Sequence, residues 1–171
     1  RERPDTHNEG ACWRINPERD KLIFHVGDGK KDGERLVIVD SGAGAHLSPH
    51  LGAFDKDTMY VPSPPVHLVT ANGSRTTVEL RGDAHVVTSY GGIETMIVLK
   101  NAMYVPNCAH VLISGSLAHD AGLRQDLTSG VMRTSTGDII SRLGFHKSRV
   151  LVLEGADAAP AAGHVRRLRM G

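Results

Sequence analysis

The chain has 171 residues, of which 40% are hydrophobic and 23% charged, and its formal net charge is +1. This composition excludes an intrinsically disordered chain, and the small net charge excludes the strongly basic surface of most nucleic-acid-binding domains. No apolar run approaches the roughly 20 residues of a membrane-spanning helix, so no membrane partner is expected.

One folded domain is predicted between two polar ends. Residues 1–20 form an N-terminal arm or linker, residues 21–154 form the folded domain, and residues 155–171 form an Ala/Pro/Gly linker with a basic tail. Aromatic residues make up 4% of the chain, so Val, Ile and Leu must build the core, which favours strands. Strands are predicted at residues 21–26, 36–39, 66–70, 76–80, 84–87, 94–99, 103–105, 111–113, 130–140 and 149–153.

Two of the predicted turns indicate β-hairpins. Asn72-Gly73 lies between alternating segments, and Gly91-Gly92 lies between the next two strands. Such pairs suit type I′ turns, which need positive φ at both central residues. A single short helix is predicted at residues 116–121, with Ser114 or Ser116 as N-cap and Gly122 as its end. Many short strands with one helix predict an all-β barrel or sandwich.

Asp40 is the first candidate for chemistry. It follows directly on the apolar run 36–39, where an unpaired buried charge is costly and needs a partner or a proton. Gly42 lets the backbone turn tightly and approach a ligand, and the Ser41 hydroxyl can hold the turn rigid. Taken alone, Asp-Ser-Gly is also ordinary loop sequence.

Four motifs follow one another along the chain. They are Asp40-Ser41-Gly42-Ala43 with His46, Ala71-Asn72-Gly73, the stretch 99–106 with Asn101, Tyr104 and Pro106, and Leu112-Ile113-Ser114 with Leu117 and Gly122. In this order they resemble the motifs of copia-type aspartic proteases, the retropepsin-like enzymes of LTR retrotransposon Gag-Pol polyproteins. The resemblance covers about residues 36–124, and Val111 and Gly115 depart from the family pattern.

The resemblance implies a closed acid-protease barrel with one short helix that is active as a homodimer. Asp40 would be the catalytic residue, and one aspartate per chain then requires a second copy of the chain to complete the catalytic pair. Substrates would be peptide segments of the parent polyprotein, with no cofactor and no metal. The other implied site residues are Ser41, Gly42 and Ala43 in the active-site turn, Ala71, Asn72, Gly73 and Ser74 in a flap, and Ala109, His110 and Leu112 in a substrate pocket.

The two cysteines, Cys12 and Cys108, are too few for a disulfide framework, so a cytoplasmic location, within virus-like particles, is expected. One alternative is a catalytically retired domain of the same fold that binds peptides or serves assembly. Another is a zinc site at His46 and His50 with Asp55 or Asp57, although Pro49 argues against a regular helix there. A cleavage assay and a metal analysis, respectively, distinguish these alternatives from the protease.

Overall fold

The structure is a computed structural model that describes residues 35–70 and 75–158 and, in addition, the backbone of three further strands. In this part of the chain most residues are in strands, and one short α-helix is present. The prediction of an all-β protein with one helix is therefore confirmed. No helix in these ranges has both the length and the apolar character to span a membrane.

Fifteen strands, one α-helix (α1, Gly115–Asp120) and two 3₁₀-helices (Leu51–Ala53 and Lys56–Thr58) make up the described part. The strands are β1 (Arg14–Asn16), β2 (Lys21–Phe24), β3 (Val37–Asp40), β4 (Leu47–Ser48), β5 (Val66–Thr70), β6 (Arg75–Val78), β7 (Leu80–Tyr90), β8 (Ile93–Tyr104), β9 (Val111–Ser114), β10 (Arg124–Asp126), β11 (Val131–Arg133), β12 (Ile139–Phe145), β13 (Leu151–Leu153), β14 (Asp157–Ala158) and β15 (Arg166–Met170).

The strands form two sheets. A four-stranded sheet has the order β1-β2-β5-β6, and an eleven-stranded sheet has the order β10-β11-β12-β13-β3-β9-β4-β8-β7-β14, with β15 paired to β8. In the larger sheet β9 lies between β3, to which it is parallel, and β4, to which it is antiparallel. This arrangement brings two segments that are far apart in sequence to the same place, at the end of β3.

Both predicted hairpins are present. β7 and β8 pair antiparallel and turn at Gly91 and Gly92, whose φ angles are 59° and 80°. Positive φ at two successive positions is what the type I′ turn requires, and glycine adopts it without strain. β5 and β6 also pair antiparallel, with Val69 opposite Arg75. The turn between them, residues 71–74, lies outside the described residues.

The predicted helix is confirmed with its bounds shifted by one residue. Ser114 is the N-cap, and its Oγ accepts the Leu117 N–H at 3.3 Å. At the other end, Gly122 has a φ of 90°, and its N–H donates to the His119 carbonyl. Of the two cap residues that the sequence left open, Ser114 is therefore the one used.

Asn101, in the third motif, lies at an irregularity of the β7–β8 ladder. The register shifts between Gly82 and Ala84, and Asn101 has a φ of 54°, which a non-glycine residue seldom adopts. The Asn101 N–H donates to Asp83 Oδ1 at 3.1 Å, and the Tyr60 hydroxyl donates to Asn101 Oδ1 at 2.5 Å. The motif asparagine is thus held by local contacts that give it a structural role.

Several elements differ from the sequence prediction. The predicted strand region 130–140 is a hairpin of β11 and β12, whose turn is closed by the Thr134 N–H and the Asp138 carbonyl, 2.9 Å apart. Neither β10 nor the two 3₁₀-helices were predicted, because each is three residues long and too short to show a period. β1 falls within the predicted arm, and β14 and β15 fall within the predicted C-terminal linker and tail.

Two apolar clusters form the core. The larger cluster joins β3, β7, β8, β9, β11, β12 and α1, and the smaller one lies beneath the turn after β3, where it includes Ile38, Ala43 and Leu112. β7 and β12 also meet side to side, since Thr88 Oγ1 donates to Ser141 Oγ at 2.7 Å. The sheet therefore curls on itself, while the ladders between the described strands form an open path. Closure of the barrel stays a prediction.

Candidate functional site

Asp40 is the last residue of β3 and lies at the centre of the larger sheet. β3 is flanked by β9 and β13, all four of its residues are buried, and Asp40 is 9% exposed. Its Oδ1 accepts the Gly42 N–H at 2.8 Å. Its Oδ2 is buried and has no hydrogen-bond partner among the described residues. The turn that follows Asp40 therefore provides a hydrogen-bond donor to only one of the two carboxyl oxygens.

Burial raises the pKa of the Asp40 carboxyl, and the hydrogen bond from the Gly42 N–H opposes this rise. Desolvation disfavours the charged form, so the group holds a proton at a higher pH than an exposed aspartate does. A carboxyl whose pKa is raised in this way suits general acid or base chemistry.

The turn after Asp40 is fixed from both sides. The Ala43 N–H donates to the Asp40 carbonyl at 3.3 Å, and Ala43 is fully buried, whereas Ser41 and Gly42 are exposed. The Ala43 carbonyl accepts from the hydroxyl of Ser114, which is buried, and from that of Ser116 at 3.2 Å. The backbone of Ser41 and Gly42 is thus presented at the surface next to the Asp40 carboxyl.

Gly115 lets α1 begin directly against this turn. A Cβ at position 115 would lie 2.9 Å from the Ser41 Cα, 3.1 Å from the Asp40 carbonyl oxygen and 2.8 Å from Gln125 Nε2. Two of these atoms are backbone and cannot move independently. The departure from the family pattern at this position therefore corresponds to a close approach between helix and turn.

His46 lies beneath the same turn. Its ring is 1% exposed, its Nδ1 accepts the Ser114 N–H at 3.0 Å, and burial lowers its pKa to about 4. His50 is half-buried and its pKa is also lowered, chiefly by burial. Within the described ranges, no three His, Cys, Asp or Glu side chains are placed to hold a metal ion. His46 Nδ1 is engaged with the Ser114 backbone amide, and its Nε2 has no partner among the described residues.

An open cleft of about 510 Å³ begins at the turn and extends along α1 and β10. The Arg124 guanidinium lies along one side and donates to the His119 carbonyl at 3.0 Å. The lining residues are Ser41, Gly115, Ser116, His119, Asp120, Leu123, Arg124 and Gln125.

The structure brings together only some of the predicted site residues. Asp40, Ser41, Gly42 and Ala43 form one turn, as expected from their adjacency. The predicted pocket residues do not line the cleft: Ala109 is exposed, His110 Nδ1 accepts the Leu36 N–H at 3.2 Å, and Leu112 belongs to the smaller core cluster. The predicted flap residues Ala71, Asn72, Gly73 and Ser74 lie outside the described residues.

Sequence reasoning did not place Ser114, Ser116 or His46 around the turn. Ser114 is 71 positions from Ala43, and only the parallel pairing of β3 with β9 brings the two together. The sequence signal that could have placed the two serines is the triplet Ser114-Gly115-Ser116, which directly follows an apolar run as Asp40 does. Two apolar strands that each end in a serine or an aspartate indicate a shared polar edge when the strands are parallel neighbours.

Comparison with known proteins places the chain in a family. Neither curated proteins nor solved structures give a match. The family model described as Pol polyprotein, beta-barrel domain, matches residues 37–123, just over half of the chain. The matched segment runs from β3 to the end of the loop after α1 and so contains Asp40, its turn and Ser114. The chain therefore belongs to the Pol polyprotein beta-barrel domain family and represents a region of a retroelement Pol polyprotein.

Proposed function

We propose that this domain is a copia-type aspartic endopeptidase, in which Asp40 residues from two copies of the chain act on one water molecule. The observation that carries the proposal is the Asp40 carboxyl itself. One oxygen is held by the Gly42 N–H, and the other is buried without a partner in the described part of the chain. Such an oxygen requires a partner, and the described residues of one chain do not provide it.

A second carboxyl group is the partner that fits the chemistry. Two carboxyls a few ångströms apart share one proton, because both cannot ionise easily. The first carboxyl, which is ionised, takes a proton from water while the water oxygen attacks the peptide carbonyl carbon. The second carboxyl, which is protonated, donates its proton to the carbonyl oxygen. The tetrahedral intermediate then collapses: the first carboxyl gives nitrogen the proton that it took from water, and the C–N bond breaks. A hydroxyl of the intermediate returns a proton to the second carboxylate, and a carboxylic acid and an amine leave.

The surface around the turn supports a dimer. Ser41 and Gly42 are exposed beside Asp40, so a second copy can contact the turn that holds the carboxyl. β10 lies at the end of the sheet and pairs with β11 alone among the described strands. A two-fold axis close to Asp40 would place identical turns face to face, as an isologous interface requires.

The substrate in this proposal is an extended segment of the parent polyprotein. The exposed backbone at Ser41 and Gly42 offers hydrogen-bonding groups to an extended peptide, as in β-strand addition. The β5–β6 hairpin would supply the flap, and processing would take place in cytoplasmic virus-like particles.

The test is cleavage of peptides that span junctions of the parent polyprotein. Asp40→Asn preserves side-chain volume and the acceptor for the Gly42 N–H but cannot accept a proton, so we expect turnover to fall by at least about a thousandfold. Glu94→Gln, which neutralises an exposed carboxylate on β8, is the matched control and should retain activity. Equal turnover by wild type and Asp40→Asn would exclude the mechanism, and peptide binding without cleavage by the wild type would favour the retired-domain alternative.

A further inference from the structure

His46 is more constrained than a residue that only fills space. It lies in the loop between β3 and β4 and is 1% exposed. Its backbone carbonyl accepts the Met103 N–H at 2.9 Å, which ties it to β8, and its ring Nδ1 accepts the Ser114 N–H at 3.0 Å, which ties it to β9. The residue thus joins the loop after the Asp40 turn to two strands.

Ser114 connects His46 to the turn after Asp40. It lies opposite Asp40 in the β3–β9 pairing, and its hydroxyl donates to the Ala43 carbonyl. The same hydroxyl accepts the Leu117 N–H as the N-cap of α1. A displacement of Ser114 would therefore reach both the Asp40 turn and the first turn of the helix.

The chemistry of the ring specifies a histidine rather than an apolar residue. To accept at Nδ1, the ring must be neutral with its proton on Nε2. Nε2 is buried without a partner among the described residues, so the ring makes one hydrogen bond and leaves its second polar atom unsatisfied. Leucine would fill a similar volume without that unsatisfied atom, but it would leave the buried Ser114 N–H without an acceptor.

We propose that His46 is a positioning residue that fixes the Asp40 turn through its hydrogen bond to the Ser114 backbone amide. The consequence for catalysis rests on the proposed protease function, whereas the consequence for the turn does not. His46 touches neither the reacting carboxyl nor the substrate in this account. It acts by holding Ser114, and through it Ala43, in the position that orients Asp40.

Three substitutions separate the hydrogen bond from packing. His46→Asn keeps an acceptor close to the position of Nδ1, His46→Leu keeps volume without an acceptor, and His46→Gln keeps the amide but moves it one bond further out. His85→Leu, at another buried histidine on β7, is the control for the loss of a buried imidazole away from β3 and β9.

Two readouts are needed. The first is hydrogen exchange of the buried Ala43 amide, measured by NMR, which reports the turn whether or not the protein cleaves peptides. The second is kcat and KM per active site in the peptide assay. For His46→Leu and His46→Gln we expect Ala43 exchange at least about tenfold faster and kcat lower by about ten- to a hundredfold, with KM within about twofold. His46→Asn and His85→Leu should stay within about threefold of wild type in both.

The outcomes distinguish the two proposals. Unchanged Ala43 exchange and kcat in the Leu and Gln variants would overturn the positioning role. A His46→Asn variant as impaired as His46→Gln would show that the acceptor is not what matters, and this comparison decides even where His46→Leu does not fold. A wild-type protein that cleaves nothing, but whose variants show the expected exchange pattern, would refute the protease and retain the role of His46 in fixing the turn.

Discussion

The Asp40 carboxyl is buried, and the effect of this burial on its protonation can be tested without any substrate. Burial raises the pKa of the folded carboxyl above that of the unfolded chain. The protonated form is therefore favoured by folding, and its contribution to stability is present below the unfolded pKa and is lost as pH rises through the folded pKa.

Asp40→Asn should accordingly stabilise the monomer fold at neutral pH, because a neutral amide replaces a buried charge. Thermal unfolding of the variant and the wild type, measured from pH 3 to pH 7, should give a higher melting temperature for the variant at pH 7. The difference should shrink as pH falls toward the ordinary aspartate value of 3.8. A lower melting temperature at pH 7, or a difference that does not depend on pH, would contradict burial of the charge.

At this scale the sequence predicts Asp40 well and its neighbours poorly. A carboxylate after four apolar residues and before Ser-Gly can be recognised as a candidate site residue, because burial and charge conflict at that position. The hydrogen bond from Ser114 to His46 spans 68 positions and depends on the order of strands in the sheet, which no local pattern encodes. The cleft along α1 and β10 was not predicted for the same reason, and the substrate pocket at Ala109, His110 and Leu112 stays a prediction.

Among the elements, the junction between α1 and the turn makes the sharpest prediction. Gly115→Ala places a methyl carbon 2.9 Å from the Ser41 Cα and 3.1 Å from the Asp40 carbonyl oxygen, closer than van der Waals contact allows. The start of the helix must therefore shift away from Asp40. We expect a loss of about 1–3 kcal/mol in the free energy of unfolding and a lower kcat.

Gly52→Ala is the control for this prediction. Gly52 is exposed in a 3₁₀-helix, and a Cβ there would meet no atom within 4 Å, so the free energy of unfolding should change by less than about 1 kcal/mol. Chemical denaturation of both variants measures the contrast. Equal stabilities would show that the contact between α1 and the turn can relax.

Elements whose signals are local could be predicted from the sequence. The β7–β8 hairpin followed from Gly91-Gly92, and α1 followed from a serine cap and Gly122. β10 was missed because its three residues are polar. The β11–β12 hairpin was misplaced because the turn at residues 134–138 was not recognised within the predicted region 130–140. β15 was assigned to a basic tail, since three arginines in five residues give no strand pattern.

For the whole molecule, buried His46 makes the free energy of unfolding depend on pH in acidic solution. Its pKa is about 4 in the folded state and 6.5 without burial, so the folded protein binds fewer protons over this range. The stability that comes from a neutral ring is complete above pH 6.5 and is lost as pH falls toward 4, a loss of about 3 kcal/mol.

This loss opposes the gain from Asp40, whose pKa is raised by burial. We expect the free energy of unfolding of His46→Asn, which has no titrating ring, to rise relative to that of the wild type as pH falls from 6.5 to 4. Urea denaturation at several pH values measures both curves. Parallel curves would mean that His46 is not responsible for the acid sensitivity.

In the proposed protease, two Asp40 carboxyls from separate chains form one catalytic unit. The most direct test of this pairing mixes wild type with Asp40→Asn at constant total concentration, under conditions where subunits exchange, and follows cleavage against composition. Mixed dimers hold one carboxyl and should be inactive, so activity should follow the square of the wild-type fraction and reach about one quarter in an equal mixture. Activity that falls in direct proportion to the wild-type fraction, to about one half in that mixture, would show that each chain works alone and would contradict the account.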